Sequence, residues 1–261
     1  PAMASEARSA VAALGALLVA GRGSAALAAE SPTAADDAFG LGQITVTAKR
    51  IPATFGDSTI GKQEIWRFDA NSLDQAVKLV PGVTATFDAG GRRNERDVFI
   101  RGFGRLQAQL SIYGVRIYLP ADNRLDFHRF LTPDLAEIQI QKGYVPVING
   151  PGGLGGAINL VTRKPTAAFE SELQVGSMLG RDAHYDGWNG YARIGTRQER
   201  FYAQVSGSFQ DRDGWPLSGD FRPTSIENGG ERNGSASRDS RVNAKLGFVP
   251  NDTDEYSLSY T

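Results

Sequence analysis

Gly150 to Pro165 reads GPGGLGGAINLVTRKP, and the fold turns on what these glycines do. Gly150, Gly152 and Gly155 satisfy G-x-G-x-x-G, the spacing of a dinucleotide-binding turn. That turn needs a helix opening on the glycines, so that amide groups and the helix dipole face a pyrophosphate. Here the residues after Gly156 place Ile158, Leu160 and Val161 among Asn159, Thr162 and Arg163 before Pro165 closes the run, which is a strand pattern. No GK[ST] follows either, so a P-loop has nothing to hold terminal phosphates. The stretch reads as a tight glycine-rich turn feeding a strand, and a soluble nucleotide-dependent enzyme is disfavoured.

The 261 residues carry net charge −1, with 31 Gly, 12 Pro, two His and no Cys. One or two domains are expected, and the even charge argues against nucleic acid as a partner. Without thiolates, and with only His128 and His184 as imidazoles, no resident metal or cofactor is expected; any metal arrives already chelated. No catalytic residues are assigned, and the protein is not read as an enzyme.

At the start, Arg8 precedes the apolar run Val11 to Ala20, and Ala26-Leu27-Ala28 follows as a small-x-small cleavage site. The run is shorter than the about 20 residues needed to span a bilayer. Residues 1–28 are read as a secretion signal, against an Ala-rich helix of the mature protein; because the chain opens at Pro1, its natural N-terminus is expected to differ. Residues 29–49 are small, acidic and broken by Pro and Gly, the composition of a flexible arm. The arm ends in the β-prone island Ile44-Thr45-Val46-Thr47-Ala48. The pattern fits either a strand added to a partner's sheet edge or the first strand of the next domain.

Residues 50–165 predict a compact mixed domain. Ser72-Leu73-Asp74-Gln75 is a capping box, Leu73, Ala76, Val77 and Val80 share one helical face, and Pro81-Gly82 stops the helix. Short strands are expected at 97–101, 111–118 around Gly114, and 137–141, with Thr132-Pro133 starting a small helical turn. After Pro165 the segments lengthen towards the 9 to 11 residues of an outer-membrane strand and alternate strictly. Phe201, Ala203, Val205 and Phe209 oppose Tyr202, Gln204, Ser206, Ser208 and Gln210; Val242, Ala244, Leu246 and Phe248 oppose Asn243 and Lys245; Tyr256, Leu258 and Tyr260 interleave with Ser257 and Ser259. Strands are predicted at about 168–178, 188–197, 201–211, 241–249 and 255–261. Tight turns at 197–200 and 250–254, against a long polar stretch at 211–240, describe a transmembrane β-barrel; a soluble sandwich also alternates. Five strands cannot close, and an open edge in lipid leaves backbone groups unpaired. The fold class is therefore an α+β domain (50–165) followed by the first strands of a truncated antiparallel transmembrane β-barrel (166–261), mostly β.

These motifs together resemble the TonB-dependent outer-membrane receptors, particularly their ferric-siderophore branch. Ile44 to Ala48 looks like the TonB box. Leu79-Val80-Pro81-Gly82-Val83 looks like the (L/V)PGV of the plug, and Ile100-Arg101-Gly102-Phe103 like its IRGF. Gly155-Gly156-Ala157-Ile158-Asn159 with Thr162-Arg163-Lys164-Pro165 looks like its GGxIN…TKxP ending. Tyr113 stands where the family commonly has an acidic residue before Gly-Val, and Ala136 to Tyr144 departs from its ERIEVLKGP; polar contacts between plug and wall are where this chain is expected to differ.

The resemblance implies a non-enzymatic import machine of a Gram-negative outer membrane, with lipid around the barrel. A ferric siderophore binds outside, and TonB, the inner-membrane transducer, pulls the box made by Ile44, Thr45, Val46, Thr47 and Ala48. Iron is expected only inside the transported chelate. Cobalamin, haem or a glycan is the alternative ligand, and an uncoupled barrel or adhesin the alternative class. Because the box follows the signal closely, an added N-terminal signalling domain is not expected. Arg92, Arg93, Arg96, Arg105, Gln107, Tyr118 and Asn123, on the plug's upper loops, are the candidate ligand contacts, since clustered arginines suit an anionic chelate. Arg101 is expected to pair with the barrel. Gly155 and Gly156 serve the plug–barrel packing, and Trp188 and Tyr191 are expected in an interfacial aromatic girdle.

Overall fold

The computed structural model describes the backbone of residues 40–41 and 44–45, together with residues 57–87, 94–143, 145–180 and 183–261. The expected secretion signal, most of the arm, Val46 to Ala48 and the candidate contacts Arg92 and Arg93 lie outside the described residues. Gly40–Leu41 (β1) and Ile44–Thr45 (β2) pair with one another in antiparallel fashion. Among the described residues β2 joins no other sheet.

The α+β domain is built around a five-stranded sheet in the order β3-β8-β9-β6-β7. These strands are Ser58–Gly61 (β3), Ala108–Ile112 (β6), Val115–Ile117 (β7), Leu135–Lys142 (β8) and Gly156–Thr162 (β9). Only β6 and β9 run parallel. A separate antiparallel pair, Val83–Phe87 (β4) and Arg96–Ile100 (β5), and a short helix at Lys62–Arg67 complete the domain. The turn joining β6 to β7 is Tyr113-Gly114, at φ +52° and +76°, the left-handed pair a two-residue hairpin demands. Ile138 and Ile140 of β8 meet Leu160 and Ile158 of β9, and Leu73, Ala76 and Val77 belong to the same buried cluster. Each such side chain removed from water contributes about 1.5–3 kcal/mol, so this period-2 and helical patterning is what closes the core.

Two local expectations are corrected. Ser72 does begin a helix, but Leu73–Ala76 is a single turn continued by a 3-10 turn at Val77–Leu79. No capping box forms: the Ser72 hydroxyl donates to Asp74 Oδ1 at 2.6 Å, and Gln75 Oε1 accepts from the Asn71 amide instead. Thr132-Pro133 makes the expected single turn, the Leu135 amide donating to the Thr132 carbonyl at 2.8 Å, but without a threonine cap. The Thr132 hydroxyl donates to the Ala70 carbonyl instead of capping its own backbone.

The second sheet runs β10-β11-β12-β13-β14, every neighbour antiparallel. Its strands are Glu170–Leu179 (β10), Tyr185–Arg197 (β11), Phe201–Arg212 (β12), Ser237–Phe248 (β13) and Tyr256–Tyr260 (β14). The predicted two faces are present: Tyr202, Gln204, Ser206, Ser208 and Gln210 are buried, whereas Val205, Leu246 and Leu258 are more than half exposed. Residues 198–200 and 249–255 join strands at one end; at the other, the β12–β13 connection 213–236 is long, whereas β10 and β11 are joined by a short one. No described helix is long and apolar enough to cross a membrane, which says nothing of strands.

Candidate functional site

The two units meet along the buried polar face of the long strands, and the seam has three tiers. At the short-turn end Arg163 and Lys164 emerge directly from β9. Arg163 grips Glu172 of β10 with both arms of its guanidinium, Nη1 donating to Oε1 at 3.1 Å and Nη2 to Oε2. Lys62 reaches the same carboxylate at 3.4 Å. Lys164 donates to both oxygens of Glu255 at 2.7 and 2.9 Å. Within the wall, Arg193 bridges Glu170 and Gln204. Two-residue spacing puts Glu170 and Glu172 on one face of β10, where a planar fork and a carboxylate match geometrically.

In the middle tier, Asp134 is almost fully buried and accepts from Tyr191 of β11 at 3.1 Å and from Gln204 of β12 at 3.3 Å. Burial raises its carboxyl above the usual range, opposed by the Tyr191 hydrogen bond and the nearby charges of Arg241 and Arg163. Beside it Lys245 of β13 donates to Thr162 Oγ1 at 2.7 Å and to the hydroxyl of Tyr113. The Tyr113 hydroxyl also donates to the Thr162 carbonyl at 3.1 Å, and burial pushes the phenol up to about 12. The departure at Tyr113 thus keeps a polar seam contact and changes its chemistry from carboxylate to phenol. A cavity of about 270 Å³ lies here, lined among others by Tyr113, Asp134, Asn243 and Lys245. None of the described candidate ligand residues lines it.

At the long-loop end His128 contacts Asp74 Oδ1 through Nδ1 at 3.0 Å, leaving Nε2 to accept from Gln210 Nε2 at 3.0 Å. Burial would raise Asp74, but the hydrogen bonds from His128 and Ser72 and the charge of Arg96 hold its carboxyl below the usual range. Arg129 pairs with Asp239 at 3.2 Å. Asn94 donates to the Ser235 carbonyl at 2.9 Å.

The residues expected to meet a ligand fare unequally. Arg96 turns inward, its guanidinium 3.2 Å over the Phe87 ring and 3.8 Å from Asp74. Arg105 is ion-paired with Asp97 at 3.3 Å. Gln107 contributes its carbonyl to the Gly155 amide. Asn123, at φ +50°, donates to the Arg105 carbonyl, so these two are brought together. Tyr118 is exposed, with Arg116 5.1 Å over its ring. Arg101 is exposed at φ +52° and makes no ion pair among the described residues. Its expected partner on the wall is not among the described strands.

The opening glycines are explained by contact. A Cβ on Gly155 would land inside the Phe103 side chain, and one on Gly156, at φ +145°, would strike the Gln141 carbonyl. Trp188 keeps an outward position against Phe209, rings 4.8 Å apart. Tyr191 is corrected: it faces inward, hydrogen-bonded to Asp134, because residues three apart on a strand lie on opposite faces. His128, Asp74, Asp134 and Lys245 were not singled out from sequence. For Lys245 the available signal was polar residues at alternate positions of a long strand; the other three lie outside the long strands.

Residues 51–157 match the family model described as the TonB-dependent receptor plug domain. The vitamin B12 transporter BtuB of Vibrio vulnificus is 27% identical over 67% of this chain and 28% of its own length. The probable TonB-dependent siderophore receptor PiuA of Acinetobacter baumannii is 30% identical over 49% of this chain and 16% of its own. The crystal structure of the siderophore receptor PirA from Acinetobacter baumannii superposes with a TM-score of 0.61 at 16% identity, covering 78% of this chain and 31% of that one. That likeness shows the fold, a plug followed by antiparallel wall strands, and this chain spans under a third of the length of both BtuB and PirA.

Proposed function

This chain carries the plug domain of the TonB-dependent receptors, and from that premise we propose that the protein imports a ferric siderophore across a Gram-negative outer membrane in steps driven by TonB. One observation carries the reading. The buried apolar cluster lies wholly within the plug, while plug and wall are joined by ion pairs and hydrogen bonds at Arg163–Glu172, Lys164–Glu255, Asp134–Tyr191 and His128–Gln210. Parting an apolar core forfeits its full burial energy. Polar contacts instead exchange with water at a net of about 0.5–1.5 kcal/mol each, so a plug held this way is movable without unfolding its own core.

In this reading the long loop 213–236 faces outward, the short turns face the periplasm, and the exposed apolar face of β10–β14 meets lipid. Ile44 to Ala48 serve as the coupling strand offered to TonB. Arg92 and Arg93, with Arg105, Gln107, Tyr118 and Asn123, remain the proposed ligand contacts; Arg96 is withdrawn from that set. No bond of the cargo is broken, iron enters as part of the cargo, and the protein holds no cofactor of its own.

Cobalamin is the second reading, favoured by the similarity to vitamin B12 transporters. The test uses the full-length protein in cells lacking other receptors, with ⁵⁵Fe loaded on catecholate and hydroxamate chelators and, separately, ⁵⁷Co-labelled cobalamin. Uptake of an iron chelate that is lost in Val46→Pro while surface binding persists supports the proposal. Uptake of labelled cobalamin alone moves the assignment to the second reading, and normal uptake in Val46→Pro removes the coupling assignment.

A further inference from the structure

The long loop 213–236 is anchored in the plug by one aromatic side chain. Trp215 packs edge-on against Phe87 of β4, ring centroids 4.2 Å apart at 66°. The Arg96 guanidinium lies 3.2 Å over Phe87 and 5.8 Å from the Trp215 ring, and the Arg232 guanidinium lies 5.6 Å from the same ring. The loop backbone is tied down around this anchor. The Trp215 amide donates to Ser235 Oγ at 2.8 Å, the Arg232 amide to the Trp215 carbonyl at 2.8 Å, and plug residue Asn94 to the Ser235 carbonyl at 2.9 Å. Stacked guanidinium and edge-to-face aromatic pairs of this kind add about 0.5–2 kcal/mol each beyond burial.

The anchor does not end at Arg96. Its Nε lies 3.8 Å from Asp74 Oδ2, and the other oxygen of that carboxylate holds His128 Nδ1, whose far nitrogen meets Gln210 on wall strand β12. The Arg96 amide and the His128 amide both donate to Asp126 Oδ1, at 3.0 and 3.1 Å, which locks the two limbs together. Asp74 sits on the helical turn Leu73–Ala76, whose apolar side is core. One buried carboxylate therefore receives, on separate oxygens, the arginine that touches the loop and the histidine that touches the wall.

We infer that Trp215 and Arg96 form a loop-to-plug coupling device: lifting the loop releases Arg96, loosens Asp74, and weakens the His128–Gln210 attachment of the plug to the wall. Arg96 is thus a positioning residue that reads the loop rather than a ligand contact. The outward placement of the loop rests on the transport proposal; the coupling itself does not.

The experiment is hydrogen–deuterium exchange on the full-length protein in nanodiscs, without ligand, comparing wild type with Trp215→Ala, Trp215→Phe and Ile226→Ser, the last altering an exposed residue of the same loop. Trp215→Ala is expected to raise exchange about tenfold across residues 73–79 and 127–129 as well as in the loop, a coupling of ordinary size between contiguous networks. Trp215→Phe should restore most of the protection, and Ile226→Ser should leave both plug segments unchanged. Arg96→Met retains an apolar cover for Phe87 but severs the link to Asp74, so adding Trp215→Ala to it should produce no further change at residues 127–129. Faster exchange confined to 213–236 in Trp215→Ala, or full additivity with Arg96→Met, overturns the inference. Because no uptake is measured, a failed transport assignment leaves this result readable.

Discussion

Tyr191 of the wall donates its hydroxyl to Asp134 of the plug at 3.1 Å, and both residues are buried. Removing the hydroxyl leaves a buried carboxylate oxygen with only the longer Gln204 bond at 3.3 Å. Tyr191→Phe is therefore expected to weaken plug seating by about 0.5–1.5 kcal/mol, the net contribution of one hydrogen bond to an acceptor that keeps another. Urea titration of the full-length protein in micelles, followed by protease protection of the plug, measures it. A loss within error would show that Gln204 alone satisfies Asp134.

The two interior carboxylates predict opposite pH responses. Asp134 has its pKa raised by burial; the folded state binds its proton more tightly than the unfolded chain, so its contribution improves as pH falls through the raised value. Asp74 has its pKa lowered from 3.8. Its stabilisation is fully present above that pH and disappears as pH falls further, through the folded value. Asp134→Asn should remove the gain on mild acidification, whereas Asp74→Asn should flatten the loss below pH 3.8. Midpoints of urea unfolding between neutral pH and strong acid check both signs.

Gly155→Ala and Gly156→Ala should both destabilise the plug, by about 1–3 kcal/mol or more for overpacking, yet differ in rescue. The obstacle to Gly155 is the Phe103 side chain, and the obstacle to Gly156 is the Gln141 backbone carbonyl at a position with φ +145°. Adding Phe103→Ala should recover much of the first loss, and no side-chain deletion should recover the second. Thermal midpoints of Gly155→Ala and Gly156→Ala, each with and without Phe103→Ala, decide it.

Val205 lies on the outward face of β12, more than half exposed. Val205→Lys is expected to cost about 2–4 kcal/mol if that face meets the bilayer midplane, read as a reduced folded fraction in lipid vesicles. An unchanged folded fraction would favour water on this face.

Much of the architecture was legible because the relevant signals are local. Leu73, Ala76, Val77 and Val80 read as one helical face and are all buried, and the alternation through residues 201–210 separated the two faces of β12 as they are found. The capping box failed at Ser72 because a distant group, His128, and the neighbouring Asp74 claim the hydroxyl. Tyr191 was misread because an aromatic on a long strand suits either face, and the buried group it meets, Asp134, is distant in sequence. Arg96 read as one of several arginines poised for a ligand; nothing nearby in sequence announces Trp215.

By itself, then, the chain's spelling determined which segments are strands, which side of each is apolar, and that the glycines of 150–156 make a turn, since backbone geometry and side-chain period are properties of a few consecutive residues. Only the folded molecule decided the partners across the seam. Asp134 meets Tyr191 57 positions away, and His128 meets Gln210 82 positions away. Such pairs are selected by desolvation, because a buried polar group must find whatever complementary group the two packed surfaces bring within hydrogen-bond reach.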